Sequence, residues 1–248
     1  MQIVDSHAHV KGGDTYRREL DPDRTIYRMD QAGISRTVVF SICLPSRESN
    51  DLTLRAVKGR GGRLIPYAHA VPQEGGVALA EARRAVDLGC RGLKLHFGEL
   101  YGLEPSDELF LPLIELAAGL SIPVLLDCNN RPQYPDRWAS AVPEAKIVVP
   151  HLGSSDDQNM NWRFFDLARR HDNVWLDTSY TTGPWMINNA YLALGPRKLI
   201  WGSDGGGDYY PPLIELAKIQ VWEFPAPDLE LMLSRNILEL LGEVGTAP

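Results

Sequence analysis

Cysteine is scarce: Cys43, Cys90 and Cys128 are the only three in 248 residues. So sparse and odd a count builds no disulfide framework, and no CxxC or Cys/His spacing suggests a thiolate zinc site. Positive charge is short as well. Lys and Arg number 25 against 32 Asp and Glu, for a net charge of −7. Nucleic acid and anionic membranes call for the opposite sign, so neither is expected as a partner; a small-molecule substrate is. No apolar run approaches the roughly 18 residues of a spanning helix. The chain opens on a strand-like Gln2-Ile3-Val4 without a basic and then apolar leader, which makes the cytoplasm the expected location. Low-complexity tracts and long Pro/Gly/Ser-rich linkers are also missing, so residues 1–248 read as one domain.

What is present is alternation. Short runs rich in Val, Ile and Leu fall at 2–7, 36–41, 64–70, 91–96, 122–127, 146–151, 174–179 and 198–203. Helical patterns fall between them at 23–32, 50–60, 75–88, 107–119, 136–142, 158–171, 185–194 and 211–220, with a last helix at 227–241. Strand–helix alternation implies a parallel sheet. Eight units of about 30 residues imply closure into a (β/α)8 TIM barrel. A doubly wound open sheet fits less well, because no Gly-rich dinucleotide turn follows the first strand. Pro105-Ser106-Asp107 offers a capping side chain to the helix that follows, and Gly89 marks a helix end.

Several strands end in polar residues where apolar ones would pass without comment. They are Asp5-Ser6-His7-Ala8-His9, Lys94-Leu95-His96, Leu126-Asp127-Cys128-Asn129, Val149-Pro150-His151 and Gly202-Ser203-Asp204. Side chains two apart on a strand share a face, so His7 goes with His9 and Lys94 with His96. In a barrel such ends converge at the C-terminal mouth. Four imidazoles (His7, His9, His96, His151) and two carboxylates (Asp127, Asp204) suit a divalent ion, zinc first, with manganese or iron as alternatives. Each residue alone has a structural explanation: Asp204 as a turn residue before Gly205-Gly206-Gly207, Lys94 as an interior ion-pair partner, His69 and His171 as packing histidines. Their common position at strand ends favours a site.

These segments carry a resemblance. The first strand end is similar to the strand-one signature of the amidohydrolase superfamily. Gly92-Leu93-Lys94-Leu95-His96, Ile122-Pro123-Val124-Leu125-Leu126, Val148-Val149-Pro150-His151-Leu152-Gly153, Leu199-Ile200-Trp201-Gly202-Ser203-Asp204 and Ser234-Arg235-Asn236-Ile237-Leu238 resemble its amidohydrolase-related branch, in order over nearly the whole chain. That branch includes metal-dependent hydrolases and non-oxidative decarboxylases. The resemblance implies His7 and His9 as metal ligands, Asp204 as ligand or proton acceptor, and His151 as ligand or acid/base. One position departs: Asp127 stands where the branch usually has a histidine. Three readings stay open. Asp127 ligates, His96 supplies the imidazole, or metal is lost, as in branch members that work without it. A carboxylated Lys94 bridging two metals is a further, weaker reading.

The loops after the strands supply candidate substrate contacts. Arg47 and Arg131 suit a carboxylate, and Trp185 and Tyr209 suit a flat or apolar group. Two reactions fit. In the first, metal-activated water attacks an amide, lactone or ester, with His151 or Asp204 moving protons. In the second, the same metal holds a carboxylate substrate while a carboxyl group leaves. The short loops leave little material for a dedicated aromatic-acid pocket, which favours the hydrolase. A nuclease of the related His-x-His type fits poorly, since those resemble a pattern with glutamate at the fourth strand end. A homodimer is the assembly expected from the family.

Overall fold

Period-two alternation sorts each strand's side chains between two apolar environments. In the computed structural model, which describes residues 1–12, 19–96 and 104–244, the strands are β1 (Val4–Lys11), β2 (Arg36–Ser41), β3 (Leu64–Pro66), β4 (Ala68–His69), β5 (Leu93–His96), β6 (Pro123–Asp127), β7 (Lys146–Val149), β8 (Val174–Asp177) and β9 (Leu199–Ile200). They pair in parallel in chain order in two runs, β1 to β3 and β4 to β9. β3 and β4 are halves of one strand joined through Tyr67, whose N–H donates to Val39 O at 3.0 Å. The ring closes beyond β9, where Ser6 N donates to Trp201 O (3.2 Å), Asp204 N to His7 O (2.7 Å) and His9 N to Gly205 O (2.7 Å). The fold is a (β/α)8 barrel.

Between the strands run α1 (Pro22–Ala32), α2 (Ser46–Val57), α3 (Gly76–Asp87), α4 (Asp107–Gly119), α5 (Gln133–Ala141), α6 (Gln158–Arg170), α7 (Trp185–Leu194) and α8 (Pro212–Gln220). One side of each strand packs under these helices: Val39, Leu93, Leu95, Val124, Leu126, Ile147, Val149 and Leu176 belong to that outer core. The residues between them face inward. Val4, Val38, Ile65, Leu125, Val148 and Ile200 form an inner cluster with Ile237, Leu238, Leu240 and Leu241 of the last helix. That helix plugs the N-terminal end of the barrel. Tyr67 belongs to the same cluster, and Gly92 makes room for it, since a Cβ there would lie 2.5 Å from the Tyr67 ring.

The expected final helix is interrupted. It runs as α9 (Ala226–Glu230), a wide π-type turn over Leu231–Arg235, and α10 (Asn236–Leu240). The cause is a competing acceptor role: Met232 O takes the N–H of Trp201 at 2.8 Å, which ties the helix to the end of the last strand. Ser106 does not act as the expected cap, since its side chain makes no capping bond. The neighbouring Asp107 instead accepts from Trp138 Nε1 and Arg137, each at 2.7 Å. Gly89 does follow the end of α3, with a φ of +112°.

Candidate metal centre

The alternation that builds the core also builds the site. Leu93 and Leu95 face out on β5, so Lys94 and His96 face in; Leu126 faces out on β6, so Asp127 faces in. On β1 an irregularity in pairing between Asp5 and Ala8 shifts the phase. Asp5 ends up buried outside the ring, accepting from Ser203 Oγ (2.6 Å) and Ser203 N (2.9 Å). His7 and His9 then enter the barrel together, with ring centroids 5.4 Å apart.

Above the apolar plug the interior is therefore a polar layer. His7 Nδ1 bonds Asp177 Oδ2 at 2.9 Å, and His7 Nε2 lies 3.0 Å from Asp204 Oδ1. His9 Nε2 contacts the same Asp204 oxygen at 2.9 Å. His151 packs 5.3 Å from the His7 ring, and its Nδ1 bonds Ser179 O at 2.9 Å. Beside these, His96 Nε2 is 3.2 Å from Asp127 Oδ2, and His151 Nε2 is 3.9 Å from that oxygen. Ser179 Oγ donates to Asp177 Oδ1 at 2.5 Å and sits 3.2 Å from His7 Nδ1 and 3.1 Å from His151 Nδ1. Backbone strain collects at the same level. His151, Leu152, Tyr180 and Asp204 all have φ between 51° and 61° directly after β7, β8 or the last strand. Non-glycine residues in that region cost energy and cluster at working sites.

Electrostatics agree with the geometry. Burial opposes protonation of His7, but Asp177 and Asp204 outweigh it and raise the imidazole to about 9. Burial would raise the carboxyls of Asp127, Asp177 and Asp204; their histidine neighbours, with Lys94 beside Asp127, hold all three below the usual carboxylate range. His9 and His69 are pushed down by burial, to about 4 and about 3. Lys94 is lowered by burial, against the pull of Asp127, Asp204 and Asp177.

A divalent ion fits these donors. His7, His151 and Asp204 each offer one ligand atom, all within 4.8 Å of one another. With Nδ1 held by Asp177, His7 turns its buried Nε2 inward, 3.0 Å from Asp204 Oδ1. A carboxylate behind a histidine in this way fixes the ring's tautomer and raises its basicity toward a metal. His9 adjoins through Asp204, and the His96–Asp127 pair lies one step further, reached through His151.

The loop candidates have partners of their own or face solvent. Arg47 is 68% exposed on α2 and faces Asp51 and Glu81 at 3.9 and 4.0 Å. Arg131 pairs with Glu104 at 2.8 Å. Trp185 and Tyr209 are exposed; the rings beside the histidines are Phe40, 4.6 Å from His9 and 5.3 Å from His7, and Tyr180, 6.2 Å from His151. Gly206 approaches protein rather than ligand, since a Cβ there would lie 2.1 Å from His9 O. Sequence reasoning missed Asp177 and Ser179. The available signal was Leu176-Asp177-Thr178-Ser179, a strand end of the same apolar-then-polar kind as the others.

A family profile described as amidohydrolase matches residues 4–242, and the chain belongs to that family. Comparison with curated protein sequences gives no match. Among solved structures, 2,6-dihydroxybenzoate decarboxylase from Rhizobium superposes with a TM-score of 0.76 at 17% identity, covering 98% of this chain and 99% of that one. The 5-carboxyvanillate decarboxylase of Sphingomonas paucimobilis gives 0.76 at 14%, over 97% and 99%. A probable 2-pyrone-4,6-dicarboxylic acid hydrolase of Acinetobacter baumannii, with citric acid bound, gives 0.73 at 22%, over 98% and 100%. At these identities the likeness is one of fold. The protein is an amidohydrolase-family enzyme, and the solved structures it resembles include decarboxylases and a probable hydrolase.

Proposed function

We propose that this protein is a metal-dependent hydrolase of a small-molecule lactone, amide or ester. The observation that carries the reading is the buried His7 Nε2, held inward by Asp177 and within chelating range of His151 and Asp204. His7, His151 and Asp204 would hold the ion, with His9 beside them, and zinc suits this nitrogen and carboxylate set. Bound there, a divalent ion acts as a Lewis acid toward a carbonyl and acidifies water.

The protein's own groups supply the rest. Asp204 stays ionised, and its second oxygen can take a proton from the attacking water. His151 donates Nδ1–H to Ser179 O, which leaves Nε2, on the side of Asp127, as its ligand atom. The His96–Asp127 pair beside it is free of that duty and can pass a proton to a leaving group.

Decarboxylation of a ring-bearing acid is the second reading. Tyr180, edge-on to His151 with 41% of its surface exposed, is the feature that favours it, since a flat ring can stack there. Metal content by mass spectrometry, followed by assays on lactones, amides and aromatic acids, tests both. About one equivalent of zinc or manganese, lost in His7→Ala together with turnover, is the expected result. Metal-free protein with full activity would sink the metal-dependent reading, and carbon dioxide release without ester or lactone cleavage would select the second.

A further inference from the structure

Each described carboxylate of the polar layer has a histidine within 3.2 Å, whereas the Lys94 ammonium has no such contact. Asp177 has His7, Asp204 has His7 and His9, and Asp127 has His96. Lys94 is only 1% exposed, and among the described residues its ammonium makes no hydrogen bond or ion pair; it lies 5.1 Å from the centroid of the Phe40 ring. The same Phe40 ring lies 5.3 Å from the His7 ring and 4.6 Å from the His9 ring, so Lys94 stands beside the histidine cluster. Burying an ammonium without a direct partner is unfavourable. The backbone leaves no choice of face: Leu93 and Leu95 fill the outer core, and Lys94 between them must project inward.

We propose that Lys94 is the anion-binding group for the substrate, receiving a carboxylate oxygen while the scissile bond faces His7, His151 and Asp204. The substrate is then a carboxylate-bearing lactone, amide or ester. The identity of the reacting bond rests on the function proposed above; the anion site does not. Phe40 covers one side of the ammonium, so an incoming carboxylate meets it in a partly dry setting where a charge-assisted hydrogen bond is strong. The two loop arginines already face carboxylates of the protein: Arg47 those of Asp51 and Glu81, and Arg131 that of Glu104.

Benzoate and its neutral isostere benzamide separate charge from shape. Calorimetric titration of each is made into the purified protein, into Lys94→Met and into Lys94→Arg, with metal content measured beside every titration and the series repeated after chelation. The expected result is benzoate bound at least about tenfold more tightly than benzamide. The preference survives chelation, is lost in Lys94→Met and is kept in Lys94→Arg. Equal affinities in the unsubstituted protein, no benzoate binding, or an undiminished preference in Lys94→Met would each overturn the assignment. Should Lys94→Met fail to fold, the benzoate–benzamide comparison in the unsubstituted protein and in Lys94→Arg still decides. A preference that depends on Lys94 in protein that never carries metal would keep this assignment and reject the metal-dependent reading.

Discussion

Asp177 decides which nitrogen of His7 faces the site. Its Oδ2 takes Nδ1 at 2.9 Å, and Ser179 holds its other oxygen. Asp177→Asn keeps the shape and removes the charge. We expect it to weaken divalent-ion affinity about 10–100-fold with the fold intact, as read by competition with a chromophoric chelator. An unchanged affinity would mean that Asp177 only fills space. His69 gives a pH prediction at the same scale. It is fully buried, bonds Lys94 O through Nδ1 at 3.2 Å, and titrates near 3 in the fold against 6.5 when free, because burial disfavours its cation. Its neutral form is therefore the folded form. Above pH 6.5 it has no effect; below that the unfolded chain gains a proton the fold refuses, and stability falls until about pH 3. The slope is about 1.4 kcal/mol per pH unit as an upper bound. Denaturant titrations of His69→Gln should show a shallower acid limb than the unsubstituted protein, and parallel limbs would refute the assignment.

Among the elements, the first and last strands carry the most information. β1 enters the ring with one phase and leaves with another, which is how Asp5 serves the outer layer while His7 and His9 serve the inner one. The segment after β9 is pressed against β1 so closely that Gly206, at φ +146°, has no room for a Cβ. Gly206→Ala should push that segment away from His9 and displace Asp204, lowering both metal affinity and thermal stability. Retention of both would show that the two strands separate freely. Here the sequence was legible in part. The period of two in Leu93-Lys94-Leu95-His96 already predicts that Lys94 and His96 share a face. The break in the last helix was not legible, because it depends on Met232 O accepting from Trp201, a partner on a distant strand.

At the scale of the whole molecule, the helices form a shell whose packing sets the barrel's shape. Trp138 is fully buried between α4 and α5, stacked on Phe110 with centroids 4.7 Å apart and bonded to Asp107. Trp138→Ala should cost about 3–5 kcal/mol. For a chain of this length that corresponds to a fall in melting temperature on the order of 6–20 °C, measurable by calorimetry. A fall of only a degree or two would show that the shell repacks around the loss. The sequence by itself determined the strand–helix alternation, the acidic surface and the placement of His7, His9, His96, Asp127, His151 and Asp204 at strand ends, since these follow from local periodicity and composition. Tertiary structure alone decided that Asp177 would stand behind His7, 170 positions away, that the loop arginines would turn to nearby carboxylates, and that Lys94 would have no ion-pair partner among the described residues. The period of a strand says which side chains point inward; which of them meet depends on the stagger of eight strands and on the irregularity in β1, and both are set only when the ring closes.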